Sequence, residues 1–358
     1  VGWFEYIYEI DWQEEGLPYI APLDIDRLKA YGIETDLDKQ AWNTWLAQWR
    51  SHATESRKDI FTKRNQRFLY FVDGRKKIYS KVLLKGGVVG IFVEILAGTV
   101  EWSIQRGIQV MFDTVNLPRG RRYFIVVDDI KNNVEEKLPD KIVLLPGEME
   151  FDVIYVDSED DIEEMIIKLM VELEKEEIKA IAEKLEGGDL AIVWDGSLMA
   201  LGEDFVYSNI PIVGFNRYMA MRYMPKEVEQ LYDVLYDLDV AERTPLFAIT
   251  GFHENLSLVS SYIRLIKPED EQPATMRGIS LFETLHDNKH IPDTLSELYD
   301  FFALMLPRLA TSAPFGQGTE TLFPLLAAQG NLVHYFIPRE YVAYLITKEV
   351  MKHRQEKD

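Results

Sequence analysis

Cysteine is missing from all 358 residues, which removes disulfide frameworks, thiolate zinc sites and cysteine nucleophiles from consideration. That absence agrees with a reducing compartment. No apolar run approaches the ~20 residues that a membrane-crossing helix needs, and the opening VGWFEYIYEID is acidic and aromatic where a secretory signal would be basic and then apolar. A soluble, cytoplasmic protein without membrane contact is expected. Positive charge is scarce, with 39 Lys and Arg against 60 Asp and Glu and a formal net charge of -21. A surface coated with phosphate-binding residues is therefore excluded, because most of it would repel a polyanion. The phosphate-gripping pattern G-x-x-x-x-G-K-[ST] is lacking too. Its nearest approach, Lys85-Gly86-Gly87-Val88-Val89-Gly90, has neither the lysine nor the hydroxyl at the end. His286 and His290 in HDNKH have the spacing of helical zinc ligands, but Asn288 and Pro292 favour a loop, and a structural role is expected for them.

What remains is the composition of a folded protein, 47% hydrophobic and 12% aromatic, long enough for one large domain or two ordinary ones. Residues 1–65 read as an N-terminal helical and aromatic extension, in which Trp42, Trp45 and Trp49 share one helix face that packs inward or offers a partner or dimer surface. Residues 66–358 form the main domain. RFLYFV leads to a DGRKK turn, IYSKVLL and VVGIFVEILAG follow in a meander, and further strands are expected at Ile108 to Phe112, Tyr123 to Val127, KIVLL and FDVIYV. A helix from about Glu159 to Leu185 feeds the strand LAIVWD. Then come IPIVGF, a helix over Lys226 to Ala241, three more strands, a helix from Pro292 to Leu306, and two final helices interrupted near Pro338. Strands first as a meander and then mixed with helices indicate an α/β fold with a mixed sheet flanked by helices.

Two apolar runs end alike, in Asp73-Gly74 and in Asp195-Gly196. Asp-Gly is ordinary turn chemistry when met singly. Between them lies the long helix, whose apolar stripe Ile162, Ile166, Leu169, Leu173, Ala180 passes through Glu176 and Glu177. A carboxylate turned toward a core needs a cation or a donor; the alternative is a slightly rotated stripe that leaves both glutamates in solvent. Asp73, Glu176 or Glu177, and Asp195 would repel one another if brought together ionised. Oxygen ligands of this kind call for a hard divalent ion, Mn²⁺ or Mg²⁺, and two such ions about 4 Å apart hydrolyse phosphodiesters. Basic residues gather at Lys63-Arg64, Arg67, Arg75-Lys76-Lys77 and the RGRR run from Arg119 to Arg122, with Arg217 following IPIVGF. Solvated hairpin tips explain that gathering from charge alone, and a basic channel in an acidic body is the functional alternative.

The order FVDGR, glutamate helix, L-x-x-x-x-DGSL is similar to the NurA family of DNA nucleases over roughly Arg67 to Ile346, with WDGSL the most specific piece. The resemblance implies an RNase H-like core, a manganese-dependent DNase acting from 5′ ends with single-strand endonuclease action as an extension of it, a homodimer, and a HerA-type hexameric ATPase as partner in DNA end processing. It assigns the metal ligands to Asp73, Glu177 and Asp195, with Glu176 as second choice; on the nuclease reading, the basic residues expected to contact DNA are Arg75, Lys76, Lys77 and Arg217. The chain departs from the family in one motif. In LFPLLAAQ, Gln329 stands where the family has a catalytic histidine and Phe323 where it has tyrosine; His334 is the nearest substitute. A catalytically weakened adaptor of an ATPase complex is the alternative function, and an actin-like phosphotransferase is a third reading, disfavoured because Gly follows each Asp immediately.

Overall fold

The computed structural model describes residues 7–11, 34–36, 68–84, 88–127, 138–185, 190–201, 205, 210–217, 235, 238–244, 246–250, 256–266, 278–286, 293–311 and 321–355. The Trp42, Trp45, Trp49 stripe, most of the helix expected over Lys226 to Ala241, and His290 lie outside them.

One mixed sheet of 13 strands organises the described residues. Its strands are β1 (Ile7–Asp11), β2 (Glu34–Asp36), β3 (Phe68–Leu84), β4 (Val89–Ser103), β5 (Gly107–Val110), β6 (Arg119–Val127), β7 (Lys141–Leu145), β8 (Met149–Val156), β9 (Leu190–Asp195), β10 (Ile212–Asn216), β11 (Phe247–Thr250), β12 (Ser257–Arg264) and β13 (Ile279–His286). The lateral order is β2-β11-β12-β13-β10-β9-β3-β4-β6-β8-β7, with β1 joined to β3 and β5 to β4. A two-stranded ladder, β14 (Ala310–Thr311) and β15 (Thr321–Leu322), stands apart. The helices are α1 (Asp161–Lys184), α2 (Asp293–Met305), α3 (Phe323–Leu332) and α4 (Arg339–Gln355). No helix among the described residues is long and apolar enough to cross a membrane.

At the centre, β6, β4 and β3 are antiparallel neighbours, and β9 and β10 run parallel to β3 on its other side. In chain order this is third, second, first, fourth, fifth, with helix α1 crossing between the third and fourth strands. That is the RNase H-like arrangement. The described residues before 66 add two strands to the same sheet, β1 along the far end of β3 and β2 beside β11.

The expected DGRKK turn does not form. β3 runs unbroken for 17 residues through Asp73-Gly74, because β4 pairs with it continuously from Phe68↔Ser103 to Leu83↔Val89, past one irregularity after Ile78. Every residue of β4 is buried, which follows from cover on both faces. Val89, Ile91, Val93, Ile95 and Ala97 pack with Ile162, Ile166 and Leu173 of α1, while Phe92 on the opposite side packs with Val342, Leu345 and Ile346 of α4. Each such side chain, fully buried, is worth about 1.5–3 kcal/mol. The turn that does form, between β7 and β8, uses Gly147 at φ +73°, a conformation open chiefly to glycine.

Buried Glu94 of β4 fixes the C-terminal helices to this second face. It accepts from Arg122 Nε at 2.7 Å, from the Tyr79 hydroxyl, and from the Ile337 N–H at 3.3 Å just ahead of α4. Arg339 Nε donates to the Tyr79 carbonyl at 3.1 Å. The odd residues of β3 from Asp73 to Tyr79 thus face α3 and α4, and the even ones face α1.

Candidate active site

Register brings the two aspartates together. The parallel ladder between β3 and β9 ends at Val72↔Trp194, so Asp73 and Asp195 are the next residues on neighbouring strands and emerge on one face. Beyond Val72 that edge of β3 has no strand partner among the described residues until Lys81, where β1 takes it up. Asp73 therefore stands at the mouth of the gap left where β9 ends.

The third carboxylate arrives from α1, and it is Glu174. Its neighbours on the buried stripe are Leu173, Ile178 and Ile181. Glu174 Oε2 accepts from Trp194 Nε1 at 2.7 Å, while Oε1 lies against the backbone of Gly74, where a Cβ would collide with it and would come within 2.8 Å of Met170 Cγ. Gly74 is consequently a residue of close approach, since its bare backbone lets a carboxylate from the α1 side reach the level of Asp73. The Gly74 N–H donates to Asp73 Oδ1 at 2.8 Å and also supports Glu174. Asp195 is held by Arg217, whose Nε donates to Oδ1 at 3.1 Å and whose Nη2 donates to Oδ2.

Burial raises all three acids. Asp73 lies well above the ordinary carboxylate range, first through desolvation and then through the charges of Asp195 and Glu174; Arg217 and the Gly74 N–H oppose the shift. Glu174 is pushed up to about 8, mainly by desolvation and further by Asp195, against the hydrogen bonds from Trp194 and Gly74. Asp195 is raised by desolvation while Arg217 pulls it down. Asp73 Oδ2 is buried with no hydrogen-bond partner. Three buried carboxylates, with one guanidinium acting on two of them, are short of positive charge, and either protons or a divalent ion can supply it. No group of three His, Cys, Asp or Glu among the described residues converges to hold a metal as the side chains stand. The donor set still fits a hard divalent ion. Its ligands are oxygens only, and Asp73 Oδ2 is an open acceptor beside Asp195.

Other expected site residues lie elsewhere. Glu177 accepts from Thr99 Oγ1 at 2.7 Å and pairs with Arg119 at 3.5 Å; Glu176 pairs with Arg121 at 2.6 Å and Arg119 at 3.5 Å. These glutamates meet the RGRR run, so the helix phase reads off by one step. Lys76 points to the α1 side, in an ion pair with Glu163, while Arg75 and Lys77 share the face of Asp73. Arg75 Nη1 donates to the Gln329 carbonyl at 3.5 Å, and Lys77 Nζ sits 5.8 Å from the Tyr79 ring centre and 5.9 Å from that of Phe336. His334 is exposed on the 3-10 turn 333–335 and is not among the groups that perturb the three acids. Phe323 is 56% exposed.

One buried acid escaped the sequence reading. Glu283 of β13 accepts from the Leu198 N–H and the Ser197 side chain, beside Gly214, where a Cβ would come within 2.9 Å of its Cγ. It anchors the turn that follows Asp195, and burial pushes it up to about 7. An acid at an inward position of the apolar run ISLFETL is the signal that marks it. A cleft of about 450 Å³ opens farther along the sheet near Glu94, Leu96, Arg122 and Tyr335. Its basic side chains Arg121, Arg122 and Lys141 are balanced by Glu94, Glu150 and Asp152, so it is no phosphate track.

No protein-family model and no curated protein matches the chain. Similar solved structures include a crystal structure of NurA, with a TM-score of 0.35 and 9% identity over 85% of this chain and 96% of that one. A structure of NurA bound to dAMP and manganese matches with a TM-score of 0.18 and 16% identity over 45% of this chain and 29% of that one. The catalytic domain of human Endonuclease V matches with a TM-score of 0.29 and 9% identity over 75% and 88% of the two chains. At these values the likenesses carry no weight of their own, and the functional reading rests on the strand order and on the site.

Proposed function

We propose that this chain is a metal-dependent DNA nuclease, a phosphodiester hydrolase of the NurA kind. The observation that carries the reading is the juxtaposition of Asp73 and Asp195 on neighbouring parallel strands, with Glu174 reaching the same pair past Gly74. Asp73 and Asp195 would hold Mn²⁺ or Mg²⁺, with Glu174 as third ligand. Such an ion would supply an activated water and charge stabilisation for the phosphate oxygens. The protein's share is position. Trp194 fixes the Glu174 carboxylate, Glu283 fixes the turn behind Asp195, and burial keeps bulk water away from both. Arg75 and Lys77, on the face of Asp73, are the residues for the phosphate backbone; Lys76, on the other face, is not. Action from 5′ ends, single-strand endonuclease action, a homodimer and a HerA-type ATPase partner in DNA end processing belong to the same proposal and rest on the motif resemblance.

Gln329 and Phe323 favour a second reading, an adaptor that keeps the fold and serves an ATPase ring with little turnover of its own. Cleavage of end-labelled linear and circular DNA by the purified chain, with Mn²⁺, Mg²⁺ or EDTA, separates the two. The nuclease reading expects metal-dependent loss of linear DNA that Asp195→Ala abolishes. Undiminished cleavage by that variant would remove the site assignment, and silence of the wild type under every condition favours the adaptor.

A further inference from the structure

Arg217 is the side chain that a metal site does not explain. It sits two residues beyond Phe215, the partner of Asp195 in the parallel ladder, and its fork grips both Asp195 oxygens. The pair is largely withdrawn from solvent, with 20% of the arginine side chain and 12% of the aspartate exposed. The arginine's charge reaches Asp73 as well. A guanidinium does not give up its proton in a protein, so Arg217 leaves Asp195 only by moving. A divalent ion that takes Asp195 as a ligand needs the oxygens the fork now holds, and its double charge repels the guanidinium at such range.

We infer that Arg217 is an exchangeable cation: it neutralises Asp195 in the metal-free protein and, displaced by the divalent ion, turns its fork to a phosphate of the DNA strand beside that ion. The inference rests on the metal-nuclease reading above. Phosphate is the partner because the planar fork matches two phosphate oxygens as it matches two carboxylate oxygens, and because the side chain is rooted one residue past the end of β10, the strand next to that of Asp195. Two consequences of opposite sign follow. Arg217 competes with the metal and assists the substrate.

The test is calorimetric titration of the full chain with Mn²⁺ alone, followed by steady-state cleavage of a labelled oligonucleotide in saturating Mn²⁺. Wild type, Arg217→Met and Arg217→Lys are compared, with native folding checked by thermal melting. Arg217→Met is expected to bind Mn²⁺ about tenfold more tightly while its KM for DNA rises about tenfold, the size of one charge-assisted interaction gained and lost. Arg217→Lys, which keeps the charge without the fork, is expected to bind Mn²⁺ with intermediate affinity and to lose DNA affinity as the methionine variant does. Mn²⁺ affinity that is equal or weaker in folded Arg217→Met overturns the exchange while leaving the metal site standing. Should the methionine variant not fold, wild-type values for both readouts in Arg217→Lys overturn it equally. Absence of Mn²⁺ binding in all three chains brings down the metal reading and this inference with it.

Discussion

At position 74 one missing Cβ decides how closely Glu174 approaches the strand beside Asp73. Gly74→Ala places a methyl group against Glu174 Oε1 and Met170 Cγ, so the helix carboxylate must withdraw. Overpacking of this kind costs about 1–3 kcal/mol, and the variant is expected to melt lower and to lose metal-dependent cleavage together. A stable, active alanine variant would show that the close approach is dispensable. Glu283 gives a prediction in pH. Its carboxyl is raised from 4.5 to about 7 by burial, so between those values the folded chain binds a proton that the unfolded chain has released. Stability therefore falls as pH rises through that window and is level above it with respect to this group. The full shift corresponds to on the order of 3 kcal/mol. Urea unfolding of Glu283→Gln across the window should show a shallower fall than the wild type, and identical slopes would contradict the assignment. Both aspartates were legible in the sequence as ends of apolar runs. Glu283 shows in the sequence only as an acid at an inward position of an apolar run, which marks the residue without telling a buried carboxylate from a solvated one.

Among the elements, α1 shows where periodicity informs and where it misleads. Its existence and span follow from the apolar repeat, and the observed 161–184 lies within the expected 159–185. The apolar repeat alone runs from Leu173 to Ala180, which carries the stripe through Glu176 and Glu177. The buried residues are instead Leu173, Glu174, Ile178 and Ile181. Glu174 precedes Ile178 by four and Ile181 by seven, so the signal was present at helical spacing. It was missed because a stripe is drawn through its apolar members, and here one member is charged. Leu173→Ala, at the contact with β4, is expected to cost about 2–5 kcal/mol in denaturant unfolding; a loss below 1 kcal/mol would place α1 off the sheet. β3 teaches the converse. Asp-Gly reads locally as a turn, yet fifteen paired positions with β4 override that preference, and the glycine serves approach instead of reversal.

Across the whole molecule the sheet separates two faces, and the separation sorts the basic residues. Arg75 and Lys77 lie with Asp73 over α3 and α4, whereas Lys76, Arg119 and Arg121 are spent on Glu163, Glu176 and Glu177 of α1. Charge counting along the chain cannot see this, because alternate residues of one strand belong to opposite faces. Arg75→Ala and Lys77→Ala are each expected to weaken binding of a short DNA and to lower the dependence of log affinity on log salt by about one unit. Lys76→Ala should change neither, and a Lys76 effect equal to the others would contradict the facing assigned to β3. The mixed sheet with flanking helices was legible from the order of runs. The long reach of β3 and β4 and the strands that residues 1–65 add were not, since both are set by partners distant in sequence. The most direct measurement is Mn²⁺-dependent cleavage of labelled linear DNA by wild type, Glu174→Gln and Glu177→Gln side by side. The account predicts that the wild type cleaves, that Glu174→Gln falls by about a hundredfold or more, as loss of a metal ligand requires, and that Glu177→Gln stays within a few-fold. Full activity in Glu174→Gln, above all with Glu177→Gln inactive, would contradict it.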